Sequence, residues 1–303
     1  PGAFVIAAKV LGKAGGSEAT VMEGVSAAMQ IVDDVNEKLA AYWKAKDAGQ
    51  TPALPSNEAL KNAIAQGIRR FAPALNLSLG GPGRKDSPLN VQLRRIHIDG
   101  KAMVNVAAGN DGPDEGTANE TSPANEWSIK TIGALKKDGK LVFYSSRGTR
   151  KDPMRLLGHY GGDADLGGAA CPFIPGGVIS ALAAKISEDV SRCIVPHKGK
   201  PTDQAMSGTS MASPHSNGDD LLLLQALRKL FSDEELDRMK GWTLWLDELA
   251  FASMGSVPGA KPHEVQGKRE IKAELAALAE RGKDKAKIAA EALVLYKKAK
   301  ERD

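Results

Sequence analysis

The chain has 303 residues, 42% hydrophobic and 26% charged, a balance that suits one large globular domain, or a domain with an appendage, and excludes a disordered chain. No stretch approaches the roughly 18 consecutive apolar residues of a membrane span, and no basic, apolar, small-residue signal segment opens the sequence, whose first residue, Pro1, need not be a native start. The net charge of +4 does not read as a nucleic-acid footprint. Eleven Lys+Arg against seven Asp+Glu between residues 268 and 303 account for all of it, and no zinc-finger spacing or GxxxxGK[ST] loop occurs.

The first 150 residues alternate short apolar runs with helical patterns. "FVIAAKVL" at 4–11 predicts a buried strand, and residues 22–43 predict a helix rich in Ala, Val and Met. "NEALKNAIAQGIRRF" at 57–71 predicts a second helix with Asn57 as N-cap. "ALNLSL" at 74–79, a helical stretch at 87–97 and "AMVNVAA" at 102–108 complete a strand, helix, strand series. This order implies a mostly parallel sheet with helices on both faces, an α/β class in which ligands bind beyond the carboxyl ends of the strands. Two such ends are Gly-rich, "SLGGPG" at 78–83 and "AAGNDGP" at 107–113. Each is either a plain tight turn or a place where backbone approaches a ligand.

"KTIGAL" and "GKLVFYSS" within 130–147 predict a hairpin, and the polar, Gly-rich stretch 149–168 a surface insertion. Cys171 and Cys193 read as buried thiols, with a bridge as the alternative. Helical pattern resumes after Ser207, and Ser232 with Glu235 has the capping-box spacing. "SVPGAKP" at 256–262 divides a main domain, 1–255, from a helical, charged appendage, 256–303, in which Ile271, Leu275 and Leu278 mark an amphipathic helix with a solvated face.

The small-residue run "SGTSMASPH" at 207–215 is followed, after "SNGDD", by the apolar helical run "LLLLQAL" at 221–227. Capping by Ser207 or Thr209 would explain a helix start, but neither the small residues nor the Pro214-His215 pair. "GTSMASPH" resembles the catalytic-serine signature of the subtilisin-like serine peptidases, the subtilases, and the resemblance makes Ser210 the nucleophile. A serine at a helix N-terminus has the positive end of the helix dipole and free N–H groups beside it, which favour developing negative charge.

Other segments resemble the family in its order along the chain, from about residue 1 to 218. "AAKVLG" resembles the strand after the family's histidine segment. "LNLSLGGP" resembles its substrate-cleft segment, here Ser78, Leu79, Gly80 and Gly81. "VAAGNDG" resembles the segment whose Asn donates to the oxyanion, here Asn110, with Ala107, Ala108 and Gly109 as cleft wall. Thr209 joins the substrate-binding set by the same resemblance. "SPANEWSIKTIGAL", "FYSSRG" and "FIPGGVISA" resemble later parts of the fold. The implied activity is endopeptidase hydrolysis of a polypeptide bound in extended conformation, with no nucleic acid, no membrane and no cofactor required for chemistry. Family members often bind calcium on surface loops, but no Asp-rich loop here has convincing ligand spacing. The implied location is soluble, with secretion among the options and the compartment open.

The departures are as definite. The family's triad runs Asp, His, Ser, and segments resembling DTG and HGTH are absent, so the expectation is an Asp and a His upstream of Pro1 or on a complementary chain. Of the five histidines, His97 reads as a surface loop residue, His159 and His197 lie in insertion-like stretches, His215 points away from Ser210, and His263 follows the main domain. Asp219 and Asp220 stand where the family has small apolar residues. They face solvent or a cleft, or the helix is set differently, and adjacent helix positions about 100° apart make a poor metal pair. Two alternatives remain: a non-catalytic module that binds extended peptides or a partner, and one half of a split peptidase.

Overall fold

The computed structural model describes residues 5–12, 15–152, 154–162, 178–181, 196–197 and 200–303; for 178–181, 196–197 and 200–206 it describes the backbone. Cys171, Cys193 and most of "FIPGGVISA" lie outside the described residues. The chain divides into two units, Pro1–Pro73 and Ala74–Asp303.

In the first unit, α1 spans Glu18–Asp47 and is capped by Ser17, whose side chain accepts from Thr20 N. Helix α2, Glu58–Ala65, is capped by Asn57 as its sequence predicts. It ends six residues earlier than the periodicity suggests. Gly67 takes the left-handed conformation, φ 71°, and the bonds Ile68 N to Ala63 O and Gly67 N to Ile64 O close a Schellman motif there. Leu39 of α1 packs on Leu60, Ala63 and Ile64 of α2, with Tyr42, Trp43 and Phe71 around them. Asn36 clamps Phe71, donating to its carbonyl at 2.9 Å and accepting from its N–H at 2.7 Å. The strand expected at 4–11 does not form: residues 5–11 lie outside any strand, and Val5 is 90% exposed. An apolar run becomes a strand only when a neighbour takes its backbone hydrogen bonds, and none of the described residues does so here.

The second unit carries β1 (Ala74–Leu77), β2 (Gly81–Pro82), α3 (Pro88–Ile98), β3 (Met103–Ala107), β4 (Thr121–Ser122), β5 (Lys130–Leu135), β6 (Leu156–Tyr160), β7 (Val178–Ala181), β8 (Pro196–His197) and β9 (Lys200–Met206). Helices α4 (Thr209–Leu230), α5 (Asp233–Arg238) and α6 (Trp242–Ala252) follow, then β10 (Gly267–Lys268), α7 (Ile271–Arg281) and α8 (Lys285–Arg302). Strands β1-β3-β5-β6-β10 make a parallel sheet in that order. The protein is thus an α/β fold on a mostly parallel sheet.

Two strand predictions need correction. Residues 156–160, assigned to a surface insertion, form β6 inside the sheet, because the short run Leu156-Leu157 is buried and Gly158 fits against Leu135, whose side chain a Cβ would meet at 2.7 Å. The hairpin after β5 shrinks to one antiparallel bridge, Leu135 to Leu141, since β6 already takes that edge of β5.

Helix α4 runs along β1, β3, β5 and β6. The period-2 alternation of β5 separates two cores. Ile132 and Ala134 pack with Ala212 of α4 and Ala250 of α6, while Leu135 packs with Leu156, Ala108 and Val265. Ile98 of α3, Leu244 of α6 and Ala299 of α8 form a further core. Among the described residues, no helix is long and apolar enough to cross a membrane.

Candidate active site

Ser210 is the second residue of α4, a 22-residue helix with no acid in its first turn and Arg228 and Lys229 in its last. Ser210 is half-buried. The helix start places a positive field at the serine, while the neighbouring N–H groups are bonded, Gly208 to Gly161 O, Thr209 to Asn110 and Met211 to Gly208 O.

The approach to that turn depends on glycines. Gly208 N donates to Gly161 O at 2.8 Å, and a Cβ on Gly161 would meet Gly208 O at 2.8 Å. Gly162, φ 106°, passes so close to Ser207 that a Cβ would overlap its hydroxyl. Both follow β6 directly. Sequence reasoning left this pair inside a loop, although two glycines directly after a short apolar run are the signal of a backbone crossing.

The second element is the turn after β3. Asn110 Oδ1 accepts from Thr209 N at 3.0 Å and from Thr209 Oγ1 at 3.1 Å. Thr209 Oγ1 in turn accepts from Gly109 N at 3.2 Å. A backbone N–H can only donate, so the amide oxygen of Asn110 must face Thr209 and its NH2 faces away. Gly109 is left-handed, φ 100°, and its Cβ would meet Ser146 Oγ at 2.8 Å. Ser146 Oγ accepts from Asp111 N, and Ser146 N donates to Gly109 O, so "YSSR" holds the Asn110 turn from behind. Ala107 and Ala108 are buried, with Ala108 in the core beside Leu135.

The third element is the end of β1. Ser78 Oγ donates to Ser210 O at 2.7 Å, and Ser210 Oγ donates to Ser78 O at 3.4 Å. Gly80 lies against β4, where a Cβ would meet Thr121 Cγ2 at 2.9 Å, and Gly81-Pro82 pairs with Thr121-Ser122 as β2 with β4. A Cβ on Gly81 would meet open space. Thus two hydrogen-bonded sets, Ser78 with Ser210 and Gly109 and Asn110 with Thr209, meet at adjacent residues of α4 and come from three segments far apart in sequence.

The histidines lie elsewhere. His97 is wholly buried in the last turn of α3, not on a surface loop, because α6 packs over it: Thr243 Oγ1 donates to its carbonyl and its Nε2 lies 3.0 Å from Asp247 Oδ2. His159 is on β6, 3.1 Å from Asp219. His215 Nδ1 is 3.0 Å from Tyr160 O, and His263 pairs with Glu115. Nothing is described of the His197 side chain. Among the described residues, no histidine hydrogen-bonds Ser210, and no group of three or more His, Cys, Asp or Glu is arranged to hold a metal ion.

About three turns beyond the serine, α4 carries a buried ionic cluster around Asp220 whose partners no local pattern announces. Asp220 is fully buried. It pairs with Lys130 of β5 at 3.1 Å and Arg269 at 2.7 Å, and accepts from Asn105 of β3 at 2.6 Å. Lys130 also pairs with Asp247 of α6. Arg269 donates to Ser216 O at 2.7 Å and to Glu274. Burial works against the charge on Asp247, yet Lys130, His97 and Arg155 outweigh it and hold its carboxyl well below the usual range. Burial likewise opposes the Arg269 cation, and Asp220, Glu274 and Asp219 more than compensate, raising its pKa. The solvated face expected of the 268–303 segment therefore has two exceptions, Arg269 and Glu274.

Residues 1–245 match the sequence model described as the subtilase family, Peptidase_S8. Among curated proteins, the chain is 29% identical over 168 residues to membrane-bound transcription factor site-1 protease of Homo sapiens, covering 55% of this chain and 14% of that protein. It is 31% identical over 192 residues to Subtilisin-like protease 1 of Arthroderma gypseum, covering 63% and 30%. With Subtilisin-like protease 6 of Trichophyton rubrum it shares 28% over 212 residues, covering 69% and 40%. The chain thus spans less than half the length of these relatives. Among solved structures, a protease from Pseudoalteromonas arctica PAMC 21717 superposes with a TM-score of 0.53 at 21% identity, covering 89% of this chain and 61% of that one. A lanthipeptide protease gives 0.52 at 15% identity, covering 89% and 69%. Both likenesses are of fold.

Proposed function

The chain belongs to the subtilase family, and from that premise we propose that it is a serine endopeptidase in which Ser210 attacks the peptide carbonyl and Asn110 holds the oxyanion. The observation that carries this reading is the Thr209–Asn110 pairing: with its oxygen accepting from Thr209, the Asn110 amide keeps its NH2 as the donor, and that nitrogen lies near Gly208 at the start of α4. The proposed oxyanion site takes two donors, that NH2 and the Ser210 N–H at the start of α4, as a tetrahedral oxyanion requires.

In the proposed reaction Ser210 Oγ bonds to the carbonyl carbon as its proton passes to a general base. The C–N bond breaks as that proton moves to the leaving amine, and water then releases the acyl group from Ser210. The base and the carboxylate that orients it are proposed to come from polypeptide outside residues 1–303, either the same natural chain or a complementary one. No cofactor takes part. An extended polypeptide substrate would lie along Leu79, Gly80 and Gly81, where the missing Cβ of Gly81 leaves open space. Ala107 and Ala108 support that cleft from the core, and Gly109 and Thr209 fix its end.

A second reading, a peptide-binding module without turnover, is favoured by one contact: the Ser210 hydroxyl donates to Ser78 O. A fluorophosphonate probe applied to the full-length natural polypeptide separates the two. Labelling that disappears in Ser210→Ala supports the peptidase; peptide binding without labelling supports the module.

A further inference from the structure

We propose that Asn76 and Ser78 are positioning residues that tie the nucleophile to the substrate-binding segment, through a carbonyl that Pro214 leaves without its helical donor. The inference rests on Ser210 being the nucleophile.

Pro214 lies inside α4. Proline has no N–H, so the carbonyl four residues earlier, that of Ser210, loses its helical hydrogen bond. Ser78 Oγ supplies a substitute at 2.7 Å. The direction of that bond is set by two further side chains. Ser213 Oγ, on a fully buried residue of α4, donates to Asn76 Oδ1 at 2.7 Å, which fixes which way the amide points. Asn76 Nδ2 then donates to Ser78 Oγ at 3.0 Å. A hydroxyl has one proton, and an Oγ that accepts from Asn76 is left to direct it at Ser210 O. Ser210 Oγ closes the ring by donating to Ser78 O at 3.4 Å.

The ring leaves α4 at Ser213 and returns one turn earlier at Ser210, passing through the end of β1. It clamps the reactive turn to the residues that lead into Leu79, Gly80 and Gly81, so nucleophile and cleft share one register. Reaction rates fall steeply when reacting atoms are misplaced by even about 1 Å, so a clamp of this kind acts on turnover more than on binding. The same logic names the compensating change. An alanine at 214 restores an N–H to the helix, satisfies Ser210 O locally and makes the Ser78 bond dispensable.

The test uses the full-length natural polypeptide, following the rate of fluorophosphonate labelling together with kcat and KM on a peptide substrate. Ser78→Ala is expected to lower the labelling rate and kcat about 5- to 10-fold, the scale of one hydrogen bond, with KM changing less than about 2-fold. Ser78→Thr, which keeps the hydroxyl, recovers most of the rate. In a Pro214→Ala background Ser78→Ala costs less than about 2-fold, a coupling that a merely structural serine would not give. Equal losses in both backgrounds, or no loss in either, would overturn the proposal. If Ser78→Ala does not fold, Asn76→Ala supplies the same comparison. Ser210→Ala separates the two inferences: persistent labelling there overturns the assignment of the nucleophile, whereas silence there with wild-type labelling in Ser78→Ala overturns the clamp alone.

Discussion

The first turn of α4, residues 209–214, and its next turns, residues 216–220, belong to one helix and are held by opposite chemistries. The first turn uses neutral hydrogen bonds to Asn110, Ser78 and Asn76 and leaves Ser210 part-exposed. The following turns use charge: Asp220 is fully buried between Lys130 and Arg269, and Arg269 also takes the Ser216 carbonyl. Neutral contacts position a group without quenching its reactivity, whereas a buried ion pair fixes a helix in place but cannot lose either partner. The contrast separates the part of α4 that would act from the part that anchors it.

Four measurements break or sharpen this contrast. The largest effect is expected from Arg269→Ala, which strands Asp220 and Glu274 in the core; denaturant unfolding should show a loss of about 3–5 kcal/mol. Replacing all three residues with apolar ones of similar volume should recover most of that loss. Next, Asn110→Ala should lower kcat about 10²–10³-fold, the general cost of removing one oxyanion donor, while a stability loss as large as that of Arg269→Ala would assign Asn110 to the scaffold instead.

The third measurement is pH. Asp247 has a depressed folded pKa, so its pairing adds stability above the unfolded value of about 3.9, and that stability is lost as pH falls toward the folded value. Thermal stability followed from pH 7 down to pH 2 should therefore decline progressively below about pH 5, and Asp247→Asn should flatten that decline while lowering stability at pH 7. The smallest effect lies outside the contrast and calibrates it: Ser232→Ala removes the capping box of α5, with Glu235 as its partner, and should cost about 1 kcal/mol without changing activity.

The candidate site stood out in the sequence because few residue types can serve as a nucleophile or an oxyanion donor, and here they sit among small residues at the ends of elements. Ser210, Asn110 and the "SLGG" segment stand out as motifs, and the structure bonds Ser78 to Ser210 and Asn110 and Gly109 to the adjacent Thr209. The caps Asn57 and Ser232 were legible because a cap is decided by neighbours three residues apart. By contrast, β6 was hidden in a polar, Gly-rich stretch, and 5–11 looked like a strand but has no ladder partner among the described residues. His97 and Arg269 carried no local mark of burial; each is buried by elements far along the chain.

The sequence by itself determined the family, the α/β class, the helix caps and the serine motif, all of which depend on residue type and short spacing. Only the tertiary structure decided which apolar runs join the sheet, where the histidines lie, and how Asp220 is neutralised. The physical reason is that a strand's pairing and a buried charge's compensation are properties of its neighbours: Lys130 and Arg269 stand 90 residues before and 49 residues after Asp220, and no local pattern connects them.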